Sequence, residues 1–252
     1  MWKRHALRAA ALGLGFTLAP AAASSQGFLG IRWPAGYPSY TVEAFAGLGS
    51  YGRLLLQAAP GTIEQRELRG NTGFAFGGAV GANLFPRTAV RLGVSHTSAD
   101  LEFNDNTGDN SDLLDLHGIG TLGSTVLSLE ATRYIFPEKV RLTPYATVGY
   151  AVTWWNLSNE GVNGVLVDNG TEFRTGAIAA LGLQYHVTRD LAVRLEATGH
   201  SLGNPFTGGD SFRPRTGFTI DEPTRVRQSI YKLDVAYTFG RPGAPRERAG
   251  RR

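Results

Sequence analysis

The sequence predicts an all-β protein: a closed, antiparallel, eight-stranded up-and-down transmembrane β-barrel. Three observations predict it. Eight segments alternate bulky apolar residues with small or charged ones. The connections between them alternate in length, short then long. The chain also opens on a stretch patterned like an export signal.

That opening, MWKRHALR followed by AAALGLGFTLAPAAA, has a positive start, a short apolar run broken by Pro20, and small residues at Ala21 and Ala23 suited to cleavage. It is too short to span a bilayer, and no later run of about 18 apolar residues supplies a spanning helix. The expected organisation is a signal peptide over 1–23, an N-terminal extension over 24–39, the barrel over 40–239 and a basic tail over 240–252.

In the first segment Tyr40, Val42, Ala44, Ala46 and Leu48 oppose Thr41, Glu43, Phe45, Gly47 and Gly49. The second sets Phe74, Phe76, Val80, Ala82 and Leu84 against Ala75, Gly77, Ala79, Gly81 and Asn83. The third sets Val90, Leu92 and Val94 against Arg91, Gly93, Ser95 and Thr97. In the fourth, Leu127, Leu129, Ala131 and Ile135 oppose Ser128, Glu130, Thr132 and Tyr134, with Arg133 interrupting the apolar face. The fifth has Ala146, Val148, Tyr150, Val152 and Trp154 against Thr147, Gly149, Ala151 and Thr153. The sixth opposes Leu181, Leu183, Tyr185 and Val187 to Ala180, Gly182, Gln184 and His186. The seventh opposes Leu191, Val193, Leu195 and Ala197 to Ala192, Arg194, Glu196 and Thr198. The eighth, YKLDVAYTF, opposes Tyr231, Leu233, Val235, Tyr237 and Phe239 to Lys232, Asp234, Ala236 and Thr238.

Short connections fall at 85–88, 136–141 and 188–190; long ones are expected at 50–69, 99–124, 156–172 and 201–227. Short turns at one end and long polar loops at the other suit a transmembrane barrel. Aromatics near the strand ends (Tyr40, Phe85, Phe136, Trp154, Trp155, Tyr185, Tyr237 and Phe239) are placed for interfacial girdles. Closure follows from physics. An open sheet edge in lipid leaves backbone groups unpaired, so the eighth segment is expected to pair with the first.

There is no Cys, which excludes disulfides and thiol chemistry. The net charge of +4 is no argument for nucleic-acid binding. Lys3, Arg4 and Arg8 at the start and Arg241, Arg246, Arg248, Arg251 and Arg252 at the end account for it. What remains is roughly neutral to slightly acidic.

Over roughly 37–239 the sequence resembles the small eight-stranded outer-membrane barrels of the OmpA/OmpX type and the broad outer membrane protein β-barrel family. The carriers are YKLDVAYTF, the FPRT and FPEKV turns, and PYATVGY at the start of the fifth segment. The resemblance implies the cell outer membrane as location and outer-membrane lipids as neighbours. It also implies that Tyr237 and Phe239 are the assembly signal read by the barrel-insertion machinery. In minimal members the terminal Phe ends the chain, whereas thirteen residues follow Phe239 here, too few for a peptidoglycan-binding domain.

The inward-facing charges are Glu43, Arg91, Glu130, Arg194, Glu196, Lys232 and Asp234: three cations and four anions. They are expected to form a belt across the lower and middle lumen, with Lys232 and Asp234 as partners. An eight-stranded barrel is just wide enough for side chains to fill, and charges inside it need pairing. The belt therefore reads as a salt-bridge plug serving the fold, with a narrow gated pore as the alternative.

No catalytic residue is assigned. His96-Thr97-Ser98 is similar to the His-x-Ser of an outer-membrane lipid A deacylase. That family, however, carries its pair on a late strand followed by Asn. His200 and Ser201 are adjacent, so their side chains point to opposite faces. In the loop NDNTGDNSD (104–112), counting from Asp105 puts Asn110 and Leu116 where an EF-type calcium loop needs Gly and Glu, and His117 and His186 have no metal-ligand spacing. No cofactor or metal is expected. The expected role is structural or surface-interacting, with the long loops meeting a ligand the sequence does not name. A lipid-modifying enzyme and a secreted lipocalin-like barrel, its faces inverted, are the other readings.

Overall fold

The computed structural model describes residues 38–58, 65–105, 117–136, 140–158, 171–205, 219–221 and 223–240. The expected signal peptide, nearly all of the N-terminal extension, most of the 104–112 loop and the basic tail lie outside them. Nine strands follow in order: β1 (Ser39–Ala58), β2 (Gln65–Phe85), β3 (Thr88–Asp105), β4 (His117–Tyr134), β5 (Leu142–Ser158), β6 (Thr171–His186), β7 (Leu191–Gly203), β8 (Thr219–Asp221) and β9 (Arg225–Phe239). β8 is a three-residue strand on the upper edge of β1. The other eight form a closed antiparallel barrel, each paired with its chain neighbour and β9 returning to β1.

Closure is staggered. A path of Cα partners from Thr41 runs through Gly81, Arg91, Glu130, Gly149, Ile178, His200 and Gln228 and returns to Tyr51, ten residues further along β1. The stagger tilts every strand against the barrel axis, which brings side chains at different strand positions to one height.

The alternation divides inside from outside as the sequence indicates. Val42, Leu48, Val80, Leu92, Val94, Leu129, Val148, Leu181, Leu195 and Leu233 are exposed on the outer wall. Phe74 to Phe85 on β2 covers about 37 Å of strand, or about 28 Å of height at a tilt of about 40°. That matches the apolar band of an outer-membrane barrel, about 25 Å tall. Tyr40, Phe85, Phe136, Tyr185 and Tyr237 point outward near the short-turn end, where Tyr40 also packs on Phe239 with ring centroids 5.9 Å apart.

Two expectations are corrected. Trp155 is no girdle residue: it faces inward, is buried, and donates its indole N–H to the Gly203 carbonyl at 3.1 Å. Strand occupies most of the segments expected as long loops at 50–69 and 99–124, and enters the ends of those at 156–172 and 201–227. Sheet continues to Ala58, Asp105, Ser158 and Gly203 and resumes at Gln65, His117, Thr171 and Arg225. The reason is an exchange of environments. Past the lipid band the outward residues turn polar (Asp100, Asn156, Arg225, Arg227), while the inward ones turn apolar (Leu54, Leu68, Leu101, Leu122, Leu157, Leu202, Val226). Strand periodicity persists with its polarity inverted, and a bulge near Tyr51 and Arg53 absorbs the change on β1.

The interior is therefore layered. Tyr134, Tyr145 and Ala89 form a small cluster at the short-turn end. Above them sits the charged belt. Toward the long-loop end Tyr51, Leu54, Leu68, Leu101, Leu122, Trp155, Leu202 and Val226 build an apolar core inside the wall.

Candidate functional site

The seven charges expected to face inward all arise from inward positions on β1, β3, β4, β7 and β9, so backbone parity alone aims them into the lumen. Arg91 is the centre. Its Nη1 meets Glu43 Oε2 at 3.2 Å, and its Nη2 meets Glu130 Oε2 at 2.6 Å and Glu196 Oε2 at 3.2 Å. β3 and β7 stand four strands apart around an eight-strand wall, so Arg91–Glu196 crosses the full width of the barrel. Arg194 pairs with the second oxygen of Glu43, Oε1, donates Nε to Gln184 Oε1 at 2.6 Å, and donates Nη2 to Tyr134 OH at 3.1 Å. Lys232 Nζ lies 2.8 Å from Glu196 Oε1 and 4.6 Å from the centre of the Phe45 ring.

Neutral groups complete the belt. Tyr145 OH donates to Glu196 Oε2 at 2.7 Å, Thr198 Oγ1 donates to Glu196 Oε1 at 2.8 Å, and Ser128 Oγ donates to Glu130 Oε1 at 2.7 Å. Gly182 makes the Tyr145 contact possible. It is the Tyr145 partner on β6, and a Cβ there would fall 2.3 Å from the tyrosine ring. The ring lies flat over the glycine and reaches Glu196 on the next strand. Gly77 serves Phe45 similarly, its missing Cβ falling 2.7 Å from that ring. Tyr145, Tyr134, Gln184 and Phe45 were all on inward parity in the sequence. Nothing in one sequence marks which of them reach a charge two or three strands away.

Asp234 stands apart. It is 1% exposed, its Oδ2 has no hydrogen-bond partner, and among the described residues no ion pair joins it to Lys232, its expected partner. It lines a small cavity with Lys232, Glu43, Glu130 and His200. That cavity holds about 30 Å³ where one water needs about 10–15 Å³. Above the belt a second polar layer crosses the lumen. His200 Nδ1 contacts Gln228 Oε1 at 2.7 Å, Gln228 Nε2 donates to Ser124 Oγ at 3.0 Å, and Ser124 meets Tyr51 OH at 2.7 Å.

His96 and Ser98 both face outward, but no hydrogen bond joins them among the described residues. The His96 Nδ1 contacts Thr125 Oγ1 at 3.0 Å and its ring packs against Phe76 at 5.4 Å. His200 points inward while Ser201 faces outward. No group of three or more His, Asp or Glu able to hold a metal occurs among the described residues.

The profile of a family described as "outer membrane protein beta-barrel domain" matches residues 9–239. The chain belongs to that family. Membership puts this barrel in the outer membrane, with its exposed Val/Leu/Tyr wall against lipid. Among curated proteins no sequence matches. Similar solved structures include the outer membrane protein OprG from Pseudomonas aeruginosa, 13% identical with TM-score 0.49, covering 81% of this chain and 98% of that one. The N-terminal β-barrel domain of OprF from the same species is 16% identical with TM-score 0.44, covering 80% and 97%. The outer membrane protease OmpT of Escherichia coli is 12% identical with TM-score 0.43, covering 81% and 97%. No role is carried over from likenesses of this size.

Proposed function

We propose that this outer-membrane barrel is a sealed, non-catalytic wall element that holds its long-loop end at the cell surface for interaction, and that it is exported through a cleaved N-terminal signal. The observation that carries the reading is the double closure of the interior. A belt joined across opposite strands by Arg91 and Glu196 lies beneath an apolar core of Leu54, Leu101, Leu122, Trp155 and Leu202. A pore would need a continuous wet path, and apolar layers oppose one. A lipocalin-like reading needs an apolar cavity, yet the interior here holds charges and packed side chains. The surface role follows from position, since connections on a rigid scaffold carry recognition. The last strand, ending in Tyr237 and Phe239, would be what the insertion machinery reads.

Refolded protein in a planar bilayer tests this. The expected result is insertion without steady conductance, together with heat-modifiable migration on SDS gels. Steady conductance at ordinary salt, or a monomer soluble without detergent, would overturn it.

A further inference from the structure

Three arginines on two adjoining strands stand at the upper border of the lipid-facing wall. Arg225 and Arg227 on β9 and Arg53 on β1 are exposed on its outer face. β9 and β1 are paired, with Tyr51 opposite Gln228, and Gly52 lies directly against the Arg227 backbone. Arg53 is thus the neighbour of Arg227 across the strand boundary. None of the three has a carboxylate partner among the described residues; Arg225 Nη1 makes only a 3.3 Å contact to the Ser201 carbonyl. Arg69, opposite Arg53 on β2, is different, because Glu67 neutralises it at 2.5 Å.

Directly below lies hydrocarbon-facing surface. Going down β9 from Arg227, the outward residues are Ser229 and then Tyr231, 65% exposed and paired with Leu48 on β1. Tyr231 to Arg227 is about 13 Å of strand, within reach of a long side chain extending toward an interface. On the far side β7 contributes Leu195, Ala197 and Gly199 to the same face, apolar and low in relief. Of the described acids near this height, Glu67 on β2 is held by Arg69, Asp221 stands on β8 opposite Leu56 of β1, and Asp100 and Glu102 are on β3.

We propose that Arg53, Arg225 and Arg227 form a binding site for the phosphate groups of an outer-leaflet glycolipid of the lipid A class, whose acyl chains lie on the Leu48, Tyr231 and Leu195 surface. Unpaired guanidiniums side by side repel each other unless an anion joins them, and their planar forks fit phosphate. A molecule with phosphates at the interface and several chains below answers both halves of the surface. The proposal rests on the reading that the long-loop end faces outward.

The test uses the full-length barrel in mild-detergent micelles, titrated by native mass spectrometry with bisphosphorylated lipid A, its dephosphorylated form and phosphatidylglycerol. Lipid A is expected to bind at least tenfold more tightly than either comparator. Substituting Arg53, Arg225 and Arg227 together by Gln should remove that preference, since each guanidinium near a charged lipid surface matters severalfold. The pair Arg87→Gln and Arg189→Gln at the opposite rim should retain it. Equal binding of all three lipids, or an unchanged preference in the triple variant, overturns the site. If the triple variant does not give the heat-modifiable form, Arg227→Gln alone is measured, with a smaller loss expected. Labelling of Ser158→Cys by a membrane-impermeant maleimide on intact cells checks orientation separately. Lack of labelling would overturn the outward reading and with it the outer-leaflet assignment, a failure distinguishable from loss of the lipid preference in micelles.

Discussion

Arg91 and Glu196 face each other from opposite walls of the barrel, on β3 and β7, and close to 3.2 Å across the lumen. With Glu43 and Glu130 on the same guanidinium, this single side chain ties three carboxylates from three other strands together. Coulomb attraction at such distances is large in a dry interior, but so is the cost of desolvating each ion. The belt is therefore better judged by what happens when one member is lost than by what it adds.

Arg91→Met should be the most damaging belt substitution, because it leaves three buried acids with one cation fewer. Breaking a buried pair from one side costs about 3–5 kcal/mol. Arg91→Lys should restore only part of it, since an ammonium cannot match the fork that spans Glu43, Glu130 and Glu196. Urea titrations in micelles, read by the loss of heat-modifiable migration, measure both.

Asp234→Asn should behave oppositely to Glu43→Gln. Glu43 is held by two arginines, whereas Asp234 Oδ2 has no partner and its carboxylate is the fourth anion against three cations. The Asp234 substitution should be neutral or stabilising, and the Glu43 substitution destabilising by about 3 kcal/mol or more. Equal losses in both would show that Asp234 is held by the belt after all.

Gly182→Val should displace the Tyr145 ring and destabilise the barrel more than Tyr145→Phe does. The latter removes only the hydroxyl bond to Glu196, worth about 1.5–3 kcal/mol as a bond to a charged acceptor. The combination should cost less than the sum, because both act on one contact.

A belt variant without charge on its central pair, Arg91→Met with Glu196→Met, should remain non-conducting in a planar bilayer. The apolar core around Leu54, Leu122, Trp155 and Leu202 still closes the long-loop end. Only with Trp155→Ala added should current appear. Current from the belt variant alone would place the barrier in the belt.

The wall was legible in the sequence, because a barrel in lipid has one hydrophobic solvent outside and little room inside. Val42 and Glu43, or Leu233 and Asp234, declare their faces by polarity alone. Legibility fails where that contrast reverses. Ala99 and Leu101 alternate with Ser98 and Asp100 as cleanly as any lipid-facing run, yet here the apolar set points inward. A reading tuned to apolar-outside takes such stretches for loop. Trp155 was misplaced for the same reason, as a large aromatic at a strand end that the inner core claims. The belt members were visible as inward charges, but their pairing was not. Which acid Arg91 reaches depends on tilt and stagger, and no local pattern encodes a contact between residues 91 and 196.

The pairing of Tyr40 with Phe239 also governs the order of events during biogenesis. The first strand of the wall is synthesised early and its partner last, so every shorter nascent chain carries two unsatisfied edges. Loop closure over so long a separation is slow, and exposed edges invite aggregation in the meantime. Membrane insertion of this protein is therefore expected to be post-translational and dependent on a holding factor until the final strand arrives.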